Sequence, residues 1–205
     1  MILHVDSDAA YLVAPEARSR AGGYQYLSNL EGTLFNGPVF TVAKVIKNVM
    51  ASATEAELGA LYMNAQEAVG LRNCLEAMGY SQPATPIRTD NSAANGIINN
   101  TMKQKRSKAI DVRFYWIRDR VSQGQFRVYW DSGKNNIADF YTKHHPPSYH
   151  KQMRPIHTYI EGRSPTSLQG CVRIMRGISK TENSNPISDV ASTKAGPLSV
   201  ATRGS

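Results

Sequence analysis

The sequence predicts an α/β fold with a mixed five-stranded sheet, three antiparallel strands plus two parallel, flanked by helices. Three observations predict it. Three β-rich segments joined by hairpin-scale connections fill the first 46 residues, which favours antiparallel pairing. A long amphipathic helix follows, too long to be a hairpin connection. Strand-like and helix-like segments then alternate, the pattern of crossover units that add parallel strands to an existing sheet.

Residues 2–8 (ILHVDSD) are apolar and then abruptly acidic, and read as the first strand. Asp6 and Asp8 lie two apart, so within a strand they share a face. Residues 15–23 form a loop carrying Arg18 and Arg20, and residues 22–27 the second strand. Asn29, Gly32 and the Asn36-Gly37 pair break the chain before a third strand over 39–46, rich in Val and Phe. Over 54–78, Leu58, Leu61, Tyr62, Ala65, Ala68, Val69 and Leu75 recur at helical spacing, and Gly79 stops the helix. Residues 86–90 are a short strand ending in Asp90, and Asn91 and Ser92 begin a short helix. Ile110, Phe114, Ile117 and Val121 mark a further helix, stopped by Gly124. Over 125–130, Phe126, Val128 and Trp130 alternate with Arg127 and Tyr129 as the fifth strand. After the turn at 133–136, Asn136 is placed to cap a last helix carrying Asp139.

At 41% hydrophobic and 20% charged residues, the 205-residue chain can bury a core. One domain is expected over 1–150, followed by a basic, Ser/Thr/Pro/Gly-rich tail over 151–205 that reads as disordered. No apolar run is long enough to cross a bilayer, so no membrane partner is expected. Asp6 falls where a signal peptide would continue its apolar stretch, and Cys74 and Cys171 have no metal or redox spacing. Both points lead to the expectation of an intracellular protein. Through residue 150 there are 16 Lys/Arg against 13 Asp/Glu, and beyond it 8 against 3. The folded part is therefore only mildly basic, with its densest cationic cluster at Lys103, Lys105, Arg106 and Lys108. Such a cluster beside carboxylates suits a nuclease; taken alone it suits a solvated loop equally.

Four acids fall at predicted element ends: Asp8, Glu57, Asp90 and Asp139. Each has an ordinary structural use. Thr54-x-x-Glu57 and Ser52-x-x-Glu55 both read as capping boxes, and Asp8, Asp90 and Asp139 as turn or cap residues. Glu57 stands four residues before Leu61, along the edge of the buried stripe, whereas Glu55 points away. If the first and fourth strands are parallel neighbours, Asp8 and Asp90 lie side by side at their carboxyl ends. Carboxylates gathered at one point repel unless a cation joins them, and hard oxygen donors favour Mg²⁺ or Mn²⁺. Two such ions, about 4 Å apart, suit phosphodiester hydrolysis.

Five blocks carry a resemblance: residues 7–11 (SDAAY), 52–57 (SATEAE), 89–93 (TDNSA), 105–113 (KRSKAIDVR) and 136–143 (NIADFYTK). In order and spacing they resemble the ribonuclease H domain of copia-type LTR-retrotransposon polyproteins, from about residue 2 to 150. The resemblance implies the ribonuclease H-like fold and hydrolysis of the RNA strand of RNA–DNA hybrids with two Mg²⁺ or Mn²⁺ ions. It also implies a reverse transcriptase domain in the same polyprotein and a location in cytoplasmic virus-like particles or the nucleus. By motif match, Asp8, Glu57, Asp90 and Asp139 are the catalytic and metal-binding acids, with Asp6 in reserve. Ser92 is a candidate for substrate contact or for helix capping. Lys103, Lys105, Arg106, Lys108, Arg18 and Arg20 are candidates for backbone phosphate. The departure is histidine: cellular ribonucleases H carry one shortly before the last acid, whereas residues 131–137 have none and His144, His145 and His150 follow Asp139. A catalytically silent remnant that binds nucleic acid or acts as a scaffold is the alternative. Transposases and integrases share the fold but take their last acid, usually a glutamate, from a late helix.

Overall fold

The computed structural model describes residues 1–33, 37–100 and 111–158. Strands β1 (Ile2–Ala14), β2 (Arg18–Ser28) and β3 (Pro38–Val45) form an antiparallel meander. Helix α1 (Ala53–Ala77) leads to β4 (Thr85–Thr89), which lies parallel to β1. Helices α2 (Ser92–Ile98) and α3 (Asp111–Ser122) lead to β5 (Phe126–Trp130), parallel to β4. Two 3-10 turns, Gly133–Asn135 and Ile137–Tyr141, precede helix α4 (Pro147–His157). The sheet order is β3-β2-β1-β4-β5, the mixed sheet that the sequence predicts.

The strand period of two divides the protein into two layers of core. Leu3 and Val5 of β1 face α1, where they pack with Ile87, Phe126 and Val128 against Leu58, Leu61, Ala65, Ala68 and Leu75. Phe114 and Ile117 of α3 close this layer. Each of the Leu, Val, Ile and Phe side chains is worth about 1.5–3 kcal/mol on full burial. On the opposite face, Tyr24 and Tyr26 of β2 pack with Ile137, Ala138 and Ile156.

Helix α1 starts where the sequence indicates, and its cap decides between the two capping readings. Ser52 Oγ accepts the N–H of Glu55 at 3.1 Å, and Glu55 Oε2 accepts the N–H of Ala51 at 2.7 Å. The outer pair therefore caps the helix, and Glu57 is left free for other contacts. Gly79, at φ +88°, takes the left-handed conformation that ends it.

Three boundaries differ from the sequence expectation. β1 runs on to Ala14, and β2 begins at Arg18, so Arg18 and Arg20 stand in a strand rather than a loop. Asp139 lies on a 3-10 turn, not an α-helix, although Asn136 caps it as expected by accepting the N–H of Ala138 at 3.1 Å. Packed structure also continues past residue 150. Pro147 opens α4 from a position that needs no N–H donor, and Ile156 is buried beneath the sheet. The remaining tail, 159–205, lies outside the described residues.

Two adjacent glycines in β2 let both layers approach closely. A Cβ on Gly23 would stand 1.7 Å from Oδ1 of the fully buried Asn64, whose Nδ2 is within hydrogen-bond reach of Ser7 Oγ and Gly22 O. A Cβ on Gly22 would stand 2.5 Å from the carbonyl oxygen of Ala138, on the other face. We expect Gly22→Ala and Gly23→Ala each to destabilise the protein by roughly 1–3 kcal/mol. Urea denaturation would show this as a lower midpoint with unchanged slope.

Candidate metal centre

The register of two parallel strands brings the first two acids together. Val5 pairs with Ile87 and Asp6 with Arg88, after which β4 ends while β1 continues. Two further residues bring Asp8 level with Asp90. Glu57 reaches the same place from the first turns of α1, and its Oε1 accepts the N–H of Ala9 at 3.1 Å. Ligand oxygens of Asp8, Glu57 and Asp90 all lie within 4.8 Å of one another. Asp8 is 4% and Glu57 6% exposed, and Asp90 is the most open of the three.

Neighbouring groups fix where these acids stand. Thr142 Oγ1 lies 2.6 Å from Asp8 Oδ2 and donates to it. The indole Nε1 of Trp130 donates to the carbonyl oxygen of Asp90 at 2.9 Å. Gly133 leaves room for the same residue, since a Cβ there would stand 2.6 Å from Asp90 Oδ2. Asn136 Nδ2 donates to the carbonyl of Ser7 at 2.8 Å, tying the turn that carries Asp139 to the strand that carries Asp8.

The fourth acid stands apart from this group. Asp139 forms an ion pair with Lys143, one helical turn later, and its side chain is 29% exposed. It remains close enough to raise the proton affinity of Asp8. Asp6 shares the face of Asp8, as expected, but is committed elsewhere. Its carboxylate forms a buried two-point ion pair with Arg88, whose Nη1 also reaches Asp131 at 3.3 Å. That geometry leaves Asp6 poorly placed as a spare ligand.

Burial and mutual repulsion dominate the electrostatics. Asp8 is pushed up to about 6, first by burial and then by Asp139 and Asp90, with the Thr142 hydroxyl opposing. Glu57 is pushed up to about 9 by burial, then by Asp8 and Asp90, with the Ala9 N–H opposing. Oε2 of Glu57 is buried and has no hydrogen-bond partner. An unpartnered buried carboxylate oxygen on one of three clustered carboxylates, with no imidazole or thiolate among them, fits a hard divalent cation.

The other predicted residues fall in several places. Ser92 opens α2 and is exposed, and it is not the cap: Asn91 Oδ1 accepts the N–H of Ala94 at 2.9 Å. Arg18 is ion-paired with Glu16 at the hairpin tip. Arg20 projects from β2 beside Lys143 and His144. Lys103, Lys105, Arg106 and Lys108 lie outside the described residues. His145 stacks on Phe140 with ring centroids 5.3 Å apart and does not join the carboxylates. Sequence reasoning missed Thr142, Trp130 and Gly133 as supports. Only the block 136–143 hinted at Thr142, and nothing in a single sequence marks an indole that binds a distant carbonyl.

No family model matches the chain. It is 31% identical over 140 residues to the "Retrovirus-related Pol polyprotein from transposon TNT 1-94" of Nicotiana tabacum, covering 68% of this chain and 10% of the relative. It is 29% identical over 143 residues to the corresponding polyprotein from transposon RE1 of Arabidopsis thaliana, covering 69% of this chain and 9% of that protein. The chain thus spans about a tenth of the length of the curated relatives it matches. Among solved structures it is similar to LC11-RNase H1 in complex with an RNA/DNA hybrid, with a TM-score of 0.51 at 12% identity. That match covers 68% of this chain and 92% of the other, and shows a common fold.

Asp8 and Glu57, the two buried carboxyl groups of the centre, set a pH dependence. Their folded values exceed the unfolded ones, so the metal-free folded state holds protons that the unfolded chain releases. Their stabilising contribution is complete below the unfolded values and is lost as pH rises through about 6 for Asp8 and about 9 for Glu57. We expect the melting temperature of the metal-free protein to fall as pH rises through that window, by about 2–4 °C per kcal/mol lost. Glu57→Gln should flatten most of the fall. A divalent cation should restore stability chiefly at the alkaline end, and only in the wild type. Differential scanning calorimetry at several pH values checks all three outcomes.

Proposed function

This chain is a homologue of retrovirus-related Pol polyproteins from plant transposons and has the ribonuclease H fold, and on that premise we propose that it is a metal-dependent endonuclease that hydrolyses the RNA strand of RNA–DNA hybrids. The observation that carries the reading is the convergence of Asp8, Glu57 and Asp90 within 4.8 Å, with a buried oxygen of Glu57 left unpartnered. In the intact element the chain acts beside a reverse transcriptase, within cytoplasmic virus-like particles or the nucleus.

Asp8, Glu57 and Asp90 would hold Mg²⁺ or Mn²⁺, two ions in the full assembly, with Asp139 as the fourth acid beside them. When bound, the ions supply charge neutralisation at the phosphodiester and an activated water. The protein's part is to present its oxygens without reorganisation. The Ala9 N–H holds one oxygen of Glu57 and leaves the other, buried and without a hydrogen-bond partner, available to a cation. Thr142 orients Asp8, and Trp130 with Gly133 sets the position of Asp90. Lys143 balances the charge of Asp139 at the rim. Ser92, exposed and two residues from Asp90, would touch the strand being cut. Hybrid recognition rests on groove shape and 2′-hydroxyls, with the basic stretch 103–108 contributing phosphate contacts that carry no sequence information.

One observation favours the silent alternative: Asp139 is turned to Lys143 and stands outside the three-acid group. Cleavage decides between the two. We expect the purified chain to cut the RNA strand of a labelled hybrid only with Mg²⁺ or Mn²⁺, leaving duplex DNA intact. Asp90→Asn should reduce the rate roughly 100-fold or more. A trace of cleavage unchanged by Asp90→Asn would assign the activity to a contaminant and leave the silent reading. Hybrid binding should weaken as salt rises, as phosphate contacts require.

A further inference from the structure

A cleft of about 280 Å³ adjoins the candidate metal centre. Val13, Ala14 and Val45 give it an aliphatic wall, and Arg20, Lys143 and His144 bring cationic and hydrogen-bonding groups to it. Thr142 lies between the two sites, lining the cleft while its hydroxyl holds Asp8.

The sheet register explains the placement of Arg20. Asp8 stands opposite Gly22 and Ala10 opposite Arg20, and directly opposed residues of antiparallel strands share a face. Arg20 therefore rises from the same face as Asp8, one two-residue step nearer the hairpin tip, an interval of about 7 Å along the strand. That is the scale of one nucleotide of an extended strand. Two neighbouring cations on this face are already matched: Arg18 pairs with Glu16 and Lys143 with Asp139. Among the described residues Arg20 has no carboxylate partner and no side-chain hydrogen bond. A guanidinium left unpaired over an aliphatic wall presents a planar fork that suits phosphate.

We propose that this cleft is a backbone-phosphate subsite, in which Arg20 and His144 hold the phosphodiester next to the one presented to the carboxylates while Val13 and Val45 carry its sugar. Lys143, already engaged by Asp139, separates the acidic centre from the anion in the cleft. The proposal rests on the nuclease reading for its substrate, but it is tested by binding.

The experiment uses the full chain carrying Asp90→Asn to prevent turnover, with and without Arg20→Gln, and follows anisotropy of a labelled RNA–DNA hybrid across a salt series. Unchanged melting temperatures certify that the variants are folded. Arg20→Gln should weaken binding about tenfold at low salt and make the slope of log K against log salt shallower by about 1. Arg20→Lys should restore the slope but only part of the affinity. Equal affinity and slope in the Arg20→Gln chain would overturn the subsite and, if the wild type cleaves, leave the nuclease reading standing. Loss of binding on Arg20→Gln in a protein that cleaves nothing would support the subsite and overturn the nuclease. Failure of the chain to bind any hybrid overturns both. Inorganic phosphate is the second probe: an Arg20-dependent stabilisation by phosphate with no change in hybrid binding marks a free-anion site and overturns the proposal.

Discussion

Three carboxyl groups drawn within reach of a single ion, two of them shut away from water, are the constraint around which this protein is arranged. Water would hydrate them separately at no cost. Here burial and mutual repulsion force a choice between keeping protons and recruiting a cation. The protein does not relieve the conflict with a basic residue inside the group. Arg88, the buried cation nearest in the sheet register, is committed to Asp6, and Lys143 is committed to Asp139 at the rim. What remains is a small basin of negative charge whose walls are neutral donors: the Ala9 amide and the Thr142 hydroxyl.

The layers on either side of the sheet are spaced to keep that basin in shape. Gly22 and Gly23 have no side chains, so the 3-10 turn can press on one face of β2 and Asn64 on the other. The turn is braced in its turn by α4. Phe140 stacks on His157 with ring centroids 4.2 Å apart, and the Tyr24 hydroxyl donates to the carbonyl of Ile156 at 3.1 Å. The segment just past the last acid is thus part of the frame that sets where Asp139 and Thr142 stand. Aromatic and imidazole rings suit that role because they pack as rigid plates with few rotatable bonds.

The distribution of cations follows the same logic. On this face Arg18 and Lys143 are each matched by a specific acid, which makes them weaker phosphate ligands than an unmatched cation. Arg18 and Arg20 look alike in the primary structure, yet Arg18 bends back to Glu16 and Arg20 faces a cleft. Two residues of strand separate them, and the difference is that Arg18 lies within reach of an acid in the hairpin tip whereas Arg20 does not.

The amphipathic periodicity of α1, the alternation of β5 and the hairpin-scale spacing of β1 to β3 were legible in the sequence because each depends on residues near one another in the chain. So was the convergence of Asp8, Glu57 and Asp90: local patterns placed all three at element ends, and parallel pairing of the first and fourth strands needed only the topology rule. Tertiary structure alone decided which glutamate caps α1, that Asp6 is spent on Arg88, that Asp139 stands off with Lys143, and that Arg20 belongs to a strand. It also decided that folded structure continues past residue 150, since a helix opening on Pro146-Pro147 gains its stability from Ile156 against Tyr24 rather than from its own sequence. The division is physical. Backbone periodicity and capping are short-range and can be read along the chain, whereas the partner of a charge is chosen by whichever opposite charge or donor the fold brings within about 4 Å.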